Sequence, residues 1–442
     1  MNLSKTYSLQ ILAVGGIGFL LFFFLYGVNF TFLPAYTSQL IAFGVLVGFA
    51  ILSFDKEELV LQTDKNILLV FTLWLLLLLW VLILSVATVF RDIGLLTNVI
   101  LLFFQVFAGS LFFALWFYKN KYSFRGLMRF IQVLIVIQAV FIVIYFFSMD
   151  FKLFTLKFIP EGGNLSALHP YRSRGLTHGA GASLAAFQGT GILITVYLIV
   201  KAQSWKWTLF DLFSLGVLAA SVMLTGRTGF IVLPFIIGFV AIYTVYKSRI
   251  SRKLLTSALL FPAIIAGGFL MMETYYTQLF GGGDVFNALT RWAFGEFGDL
   301  LTRGESRTLN VLFDDHLFFP DEPLLFLFGD PTTFSLNRIP SDIGLVRRLF
   351  GTGLVGVTLI YTLIGMICYY SFKKASELPE KLFILVFAVW MFMLEAKEPF
   401  VTDFRFAALY MIIFCFLCIA PLQKLNLIKL SADVQENEGT DE

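Results

Sequence analysis

Arginines stand at two places between apolar stretches of this chain. Arg172 and Arg174 precede a run of small residues, and Arg227 lies in Thr225-Gly226-Arg227-Thr228-Gly229, far from any carboxylate in the sequence. A guanidinium group binds two phosphate oxygens at once, whereas a lysine acts as a point charge. Flanking glycines and a following helix N-terminus also favour anions. The pattern predicts a phosphate or diphosphate site, with an ordinary turn and a snorkelling arginine as the alternative.

Two other residues could accept a proton beside such a site. Asp342 stands at a predicted helix start, where an ordinary N-cap is the alternative role. His178 follows the first arginine pair, whose positive charge would keep the imidazole neutral. A carboxylate or neutral imidazole is the group that general-base removal of a hydroxyl proton requires. Arg307 and Arg347 are secondary candidates for contacts with the anion.

Metal ligands at a usable spacing are scarce. Asp314, Asp315 and His316 are adjacent, so a regular helix cannot turn all three toward one ion. Glu395 and Glu398 flank Lys397, and we expect these charges to pair. The sequence also lacks a phosphate loop, a dinucleotide fingerprint and a nucleophile elbow. We therefore expect neither a metal nor a cofactor.

Membrane-spanning helices must position all of these residues. Of 442 residues, 58% are hydrophobic and only 14% are charged, which excludes a soluble globular enzyme. Because a span needs about 20 apolar residues, we predict an all-α polytopic protein with about twelve spans. The connections at Arg227 and Lys397 could instead be re-entrant hairpins. The predicted spans are near 9–30, 37–54, 67–90, 94–118, 127–148, 180–200, 208–225, 229–247, 254–272, 345–372, 382–396 and 405–422.

The distribution of lysine and arginine predicts the orientation of these spans. Connections on one side collect most of these residues, which places both termini in the cytoplasm. Residues 1–422 would form one transmembrane domain, and residues 273–344 a large loop on the outer side inserted within it. An amphipathic helix near 285–300 and a second helical run near 305–318 are expected in that loop. Residues 423–442 read as an acidic disordered tail, and a net charge of +3 gives no reason to expect nucleic acid as a partner.

Three stretches resemble the superfamily of bacterial O-antigen polymerases (Wzy) and O-antigen ligases, which are polytopic glycan-assembly enzymes. They occur in the order and predicted topology of that superfamily and cover about residues 170–360, whereas the first 150 residues match only in hydropathy. The first two are Arg174-Gly175-Leu176-Thr177-His178-Gly179 and Leu224-Thr225-Gly226-Arg227-Thr228-Gly229. The third runs from Ser306-Arg307 through Leu327-Phe328-Gly329-Asp330 to Ser341-Asp342-Ile343-Gly344 and on to Gly351-Thr352-Gly353-Leu354-Val355-Gly356.

The resemblance implies transfer of an undecaprenyl-diphosphate-linked oligosaccharide to a sugar hydroxyl on the periplasmic face of the inner membrane. The arginines would hold the diphosphate without a metal. In the ligases a histidine stands at the loop-to-helix junction, whereas Ser341 and Asp342 hold the comparable place here and no histidine is near in sequence. That departure favours a polymerase. The resemblance leaves open whether a polysaccharide chain-length regulator binds.

Two alternatives remain at this point. An O-antigen ligase, which passes the glycan to lipid A core, differs only in its acceptor. A flippase or other transporter of lipid-linked oligosaccharides would also have about twelve spans. The long outer segment 273–344, the absence of an internal repeat and the collection of charge on one side favour the enzyme over the transporter.

Overall fold

A computed structural model describes most of the chain as a bundle of helices. The described residues are 3–54, 64–91, 93–161, 172–178, 181–202, 204–247, 307–335, 339 and 341–419, and within them the chain contains no β-strand. The predicted ninth span near 254–272, the amphipathic helix near 285–300 and the acidic tail lie outside the described residues. The all-α class is therefore confirmed for the described part, while the domain division stays a prediction.

Each predicted span that falls within the described residues coincides with a helix. Seven helical stretches in this part of the chain are long and apolar enough to cross a membrane, so the protein is a multi-pass membrane protein. The helices are α1 (Leu3–Tyr26), α2 (Thr37–Phe54), α3 (Lys65–Ala87), α4 (Gly94–Lys119), α5 (Phe124–Phe147), α6 (Met149–Phe158), α7 (Ala182–Val200), α8 (Trp205–Thr225), α9 (Leu233–Lys247), α10 (Arg307–Asp314), α11 (Pro323–Phe328), α12 (Pro331–Ser335), α13 (Gly344–Lys374), α14 (Leu378–Glu395) and α15 (Phe404–Ile419).

Several helix ends differ from the sequence-based bounds for local reasons. α1 ends at Tyr26 instead of near residue 30, because Gly27 takes a φ of +53° and turns the chain. The unpredicted α6 starts after Ser148, whose hydroxyl accepts a hydrogen bond from the Phe151 N–H at 3.2 Å. α4 contains a π-helical segment, Phe103–Ala108, which a hydropathy profile does not reveal.

α7 is the central helix of the bundle, and nearly all of its residues are buried. It packs against α5, α8, α14 and the 3₁₀ segment Arg227–Val232. Small residues make the closest approach feasible, since a Cβ at Gly189 would lie 2.5 Å from the carbonyl oxygen of Gly229. In lipid, where apolar surface alone does not drive helices together, such backbone proximity stabilises packing.

α13 is interrupted at Gly353, which has a φ of +65° and a ψ of −179°. Gly329, with a φ of +76°, lies against this break, so that neither position has room for a Cβ. The interruption frees backbone carbonyls, and the indole N–H of Trp80 donates to the Thr352 carbonyl at 2.9 Å. Gly329 and Gly353, two glycines of the third stretch, therefore form a backbone contact that fixes the position of the N-terminal arm of α13, from Gly344 to Thr352.

Candidate functional site

A cavity of about 420 Å³ lies between α3, α4, α13 and the segment that joins α14 to α15. The lining from α3 and α4 is mainly apolar. The charged groups come from α13 and the α14–α15 segment, which also contribute the apolar residues Ile360, Pro399, Phe400 and Phe404. The apolar lining includes Trp74, Leu77, Val81, Leu95, Val99, Leu101 and Leu102; the polar lining includes Gln39, Asn98, Gln105, Ser183, Arg348, Thr352, Glu398, Thr402 and Asp403. An apolar wall with a small set of convergent polar groups suits a ligand that is itself part apolar and part charged.

Arg348 is the cation that lines this cavity. Its Nε donates to Glu395 Oε1 at 2.5 Å, and its Nη2 donates to the Thr402 hydroxyl at 2.8 Å. Both charged side chains are 4% exposed. Glu395 also accepts hydrogen bonds from the Val401 N–H at 2.9 Å and the Tyr361 hydroxyl at 3.3 Å. The ion pair is thus buried and well supplied with partners, which is the condition for it to be retained at low dielectric constant.

Glu398 lines the same cavity but is held differently. Its carboxylate forms no hydrogen bond with any residue in the described ranges, and the residue is half-buried. Burial raises the pKa of the Glu398 carboxyl, the charge of Lys397 opposes that shift, and the negative charges of Asp342 and Asp403 add to it. A carboxylate with a raised pKa and free oxygens is a better proton acceptor than an ordinary one.

Ser183, at the start of α7, joins a carboxylate to a guanidinium at the edge of the cavity. Its hydroxyl donates to Asp403 Oδ2 at 2.5 Å and accepts from Arg405 Nη1 at 2.7 Å. The Nε of Arg405 is buried and has no hydrogen-bond partner among the described residues. Arg405 therefore retains a donor next to the polar side of the cavity.

The predicted anion ligand Arg174 has its guanidinium engaged by the protein itself. Nη1 donates to the Pro160 carbonyl at 2.7 Å, Nη2 to the Ile159 carbonyl at 2.8 Å, and Nε to the Tyr145 hydroxyl at 3.2 Å. The residue is fully buried. These contacts brace the loop before α7, and they give no support to a diphosphate contact by Arg174.

His178 and Arg172 belong to the same loop and do not line the cavity. The Nδ1–H of His178 donates to the Pro160 carbonyl at 3.0 Å, a tautomer that leaves Nε2 as an acceptor. Its ring packs edge-on against Tyr36 with the centroids 6.4 Å apart. Arg172 is half-buried. The loop is held to α8, because the Ser173 N–H donates to the Leu224 carbonyl at 2.7 Å.

The predicted break around Arg227 is confirmed for the backbone. Arg227 opens the 3₁₀ segment Arg227–Val232 directly after Gly226, which caps α8. Lys397 Nζ donates to the Thr228 hydroxyl at 2.8 Å, so this break contacts the α14–α15 segment that lines the cavity. The side chains of Arg227 and Arg307 lie outside the described part of the structure, and their predicted contacts with an anion stay predictions.

Asp342, just before α13, lies beside Arg347 in the first turn of that helix. The Asp342 carboxylate is 3.7 Å from Arg347 Nη2 and is 62% exposed. The alternative role of Asp342 as an N-cap is not found, because the N-cap position is Ile343 and no side chain caps this helix. This pair lies outside the cavity lining, although the charges of both residues act on Glu398.

A histidine does lie beside this junction in three dimensions. His316 Nδ1 accepts a hydrogen bond from the Asp342 N–H at 3.2 Å, and the His316 carbonyl accepts one from the Ser341 hydroxyl at 2.7 Å. The inference that no histidine is near was drawn from distance along the chain, and the fold corrects it. The junction therefore has a histidine beside it, as in the ligases, and no longer favours a polymerase over a ligase.

From the sequence, Glu398 was expected only to pair with Lys397, and no site role was assigned to Arg348, Thr402 or Asp403. Arg347, and not its neighbour Arg348, was selected as a candidate anion ligand. The expected pairing of Glu395 with Lys397 is wrong, since Glu395 pairs with Arg348. A usable signal was present in residues 398–405, where three charged residues interrupt two apolar helices. Charged residues between apolar helices of a membrane protein are costly and usually serve a site.

Acidic and metal-binding side chains were also compared as clusters. Across the described ranges, no group of three or more His, Cys, Asp or Glu residues could hold a metal ion. The expected independence of metals and cofactors stays a prediction.

Comparison with known proteins adds no family assignment. No family model matches this chain. No curated protein matches it either. The function is therefore argued from the geometry of the cavity and from the three stretches of resemblance.

Proposed function

We propose that this protein is a membrane glycosyltransferase that joins oligosaccharide units carried on a polyprenyl diphosphate. The proposed activity is that of an O-antigen polymerase, or of a related surface-polysaccharide polymerase, acting on undecaprenyl-diphosphate-linked units at the periplasmic face of the bacterial inner membrane. The observation that carries the proposal is the cavity with a mainly apolar lining from α3 and α4 and charged groups from α13 and the α14–α15 segment. A polyprenyl diphosphate needs both surfaces, one for its chain and one for its phosphates.

Glycosyl transfer from a diphosphate requires positive charge near the leaving group and one proton acceptor for the attacking hydroxyl. The acceptor hydroxyl attacks the anomeric carbon, the bond from that carbon to the diphosphate oxygen breaks, and the diphosphate leaves with the electron pair. Arg348 and Arg405 offer N–H donors near the polar side, where they would stabilise the negative charge that develops on the leaving group. Arg227, which opens the neighbouring 3₁₀ segment, is proposed to add its guanidinium to this set.

Glu398 is the proposed acceptor of the hydroxyl proton. Glu398 lines the cavity, and its oxygens accept no hydrogen bond from other described residues. In contrast, Asp342 is exposed just before α13, and His178 lies in the loop before α7. A raised pKa brings a carboxylate closer to the basicity that proton transfer near neutral pH requires. Asp342 and His178 are the alternatives that mutation must separate from Glu398.

The direct test is reconstitution with defined substrates. The purified protein in liposomes would be incubated with a synthetic undecaprenyl-diphosphate-linked repeat unit, and the products resolved on a gel. A ladder of lengths, absent with Glu398→Gln protein of equal folding, supports a polymerase. Translocation of the lipid-linked unit across the vesicle without any new glycosidic bond contradicts the proposal and identifies a transporter.

A ligase is the second candidate, and one observation favours it. His316 lies against the Ser341–Asp342 junction, where the ligases of the superfamily carry a histidine. Adding lipid A core to the same reconstitution separates the two activities. A single transfer to that acceptor without a ladder identifies a ligase, and loss of the transfer in His316→Ala protein would assign the histidine a role in it.

A further inference from the structure

A second cavity lies at the opposite ends of α7 and α14 from the first. This groove has a volume of about 610 Å³ and is bordered by the ends of α5, α7, α9 and α14. It is open and polar, in contrast to the cavity described above. Its size would admit the headgroup of a phospholipid, since small-ligand sites have volumes of about 300–1,000 Å³.

Three basic side chains line the groove: Arg125, Lys201 and Lys247. Lys201 forms an ion pair with Glu377. Arg125 and Lys247 form neither a hydrogen bond nor an ion pair with any residue that the structure describes. The fifth groove charge, Glu380, accepts hydrogen bonds from residues at the start of α14 and is committed to that capping box. Arg125 and Lys247 are thus the unpaired cations of the groove, which carries a net charge of +1 with Glu377 and Glu380 included.

A buried hydroxyl beside the groove also lacks a partner. Tyr197 stands one turn before Lys201 on α7, is fully buried, and has no hydrogen-bond partner for its hydroxyl among the described residues. The hydroxyl lies close enough to Arg125, Glu377 and Glu380 for their charges to act on it. Tyr197 is not part of the groove lining, so the contacts to a groove ligand are assigned to the lining cations alone.

The surroundings of the groove are those of a membrane surface. Tyr243 and Tyr246 line it, and tyrosine is enriched where helices leave the apolar core of a bilayer. Further lysines are found at the same helix ends: Lys119, Lys373, Lys374 and Lys381. Basic pockets between helices at this level bind the anionic headgroups of lipids.

We propose that this groove binds the phosphate group of an acidic phospholipid, with Arg125 and Lys247 as the main contacts. A phosphodiester accepts hydrogen bonds from both cations without a cofactor or a covalent step. The ligand class is independent of the glycosyl-transfer proposal, because no residue of the first cavity takes part. Free phosphate shares the recognised chemistry and is the other source that the experiment must separate.

Native mass spectrometry of the protein in detergent tests this site with phosphatidylglycerol and phosphatidylcholine as probes. The Arg125→Gln/Lys247→Gln variant should retain at least about tenfold less phosphatidylglycerol than wild type, with phosphatidylcholine retention unchanged. The matched control is Lys119→Gln/Lys373→Gln, which removes two exposed cations at the same helix ends outside the groove.

Inorganic phosphate added to the wild-type protein separates the two sources. Retention of phosphatidylglycerol in the presence of millimolar phosphate supports the lipid headgroup, whereas displacement supports free phosphate as the ligand of the same two cations. Equal phosphatidylglycerol retention by the groove variant and its matched control would overturn the proposal. A folded groove variant is verified by an unchanged thermal transition.

Discussion

Arg348 on α13 and Glu395 on α14 form a buried ion pair that fixes the two helices beside the first cavity. The α13 backbone follows Glu395 closely, since a Cβ at Gly344 would lie 2.6 Å from Glu395 Oε1. One turn beyond Glu395 the chain reaches Glu398, so the pair also determines where the proposed proton acceptor stands.

Removal of either member of the pair should destabilise the protein strongly. Glu395→Gln or Arg348→Met leaves an uncompensated buried charge, with an expected cost of about 3 kcal/mol or more. Thermal unfolding in detergent measures it. The double variant Arg348→Met/Glu395→Met should recover most of the loss in stability while remaining inactive in glycosyl transfer. An active double variant would show that Arg348 has no part in the chemistry.

Glu398→Gln should abolish glycosyl transfer and leave the thermal transition of the protein near that of wild type. The amide retains the shape of the side chain but cannot accept the hydroxyl proton. Asp342→Asn and His178→Ala are the matched comparisons and should keep most of the activity. If Glu398→Gln polymerises normally while one of the comparison variants is inactive, the proton acceptor is the residue changed in that inactive variant.

The pH dependence of glycosyl transfer should shift when the charged residues around Glu398 are changed. A base must be ionised, so kcat/KM rises with pH through the pKa of the Glu398 carboxyl, which burial raises above its ordinary range. Lys397→Gln removes a charge that favours the carboxylate, and the acid limb should move to higher pH. Asp342→Asn removes a charge that disfavours it, and the limb should move to lower pH. Identical profiles for all three proteins would exclude Glu398 as the titrating group.

Gly353→Ala should destabilise the N-terminal arm of α13. Alanine is strained at a φ of +65°, and its Cβ would meet the Leu327 carbonyl oxygen and the backbone of Phe328. We expect a loss of about 1–3 kcal/mol in thermal or detergent unfolding. Gly365→Ala on the same helix is the control, because a Cβ there meets nothing within 4 Å and should be neutral or slightly stabilising.

Arg174→Lys should reduce stability without a specific effect on the donor. A lysine cannot reproduce the three-way contact with Ile159, Pro160 and Tyr145, so the loop before α7 should loosen. The expected result is a lower thermal transition with an unchanged KM for the lipid-linked donor in the folded fraction. A raised donor KM at normal stability would instead restore the diphosphate role first predicted for Arg174.

Hydropathy predicted the helices well, because lipid offers the backbone no other hydrogen-bonded structure. α2 has the same bounds in sequence and structure, 37–54. The same rule cannot locate the interruption at Gly353 or the π-helical segment of α4, since neither alters composition. These features depend on which backbone groups meet across helices, and that is tertiary information.

The site was less predictable for a related reason. Asp342 and Arg347 are only five positions apart in the sequence, and both were identified as candidates from the sequence around them. Arg348 and Glu395 are 47 positions apart and meet only when α13 packs against α14. His316 reaches Ser341 by the same kind of long-range contact. Pairs of this kind leave no local pattern.

The π-helical segment Phe103–Ala108 has a genetic consequence for the cavity. A π turn amounts to one inserted residue, which rotates the preceding part of the helix by about 100° relative to the part that follows. Leu95, Asn98 and Leu102 line the cavity from before the segment, whereas Phe113 and Phe117 enter the core from after it. Deletion of one codon within 103–108 would therefore turn that wall away while leaving the hydropathy profile almost unchanged. The number of residues in this stretch thus determines which side chains of α4 face the cavity.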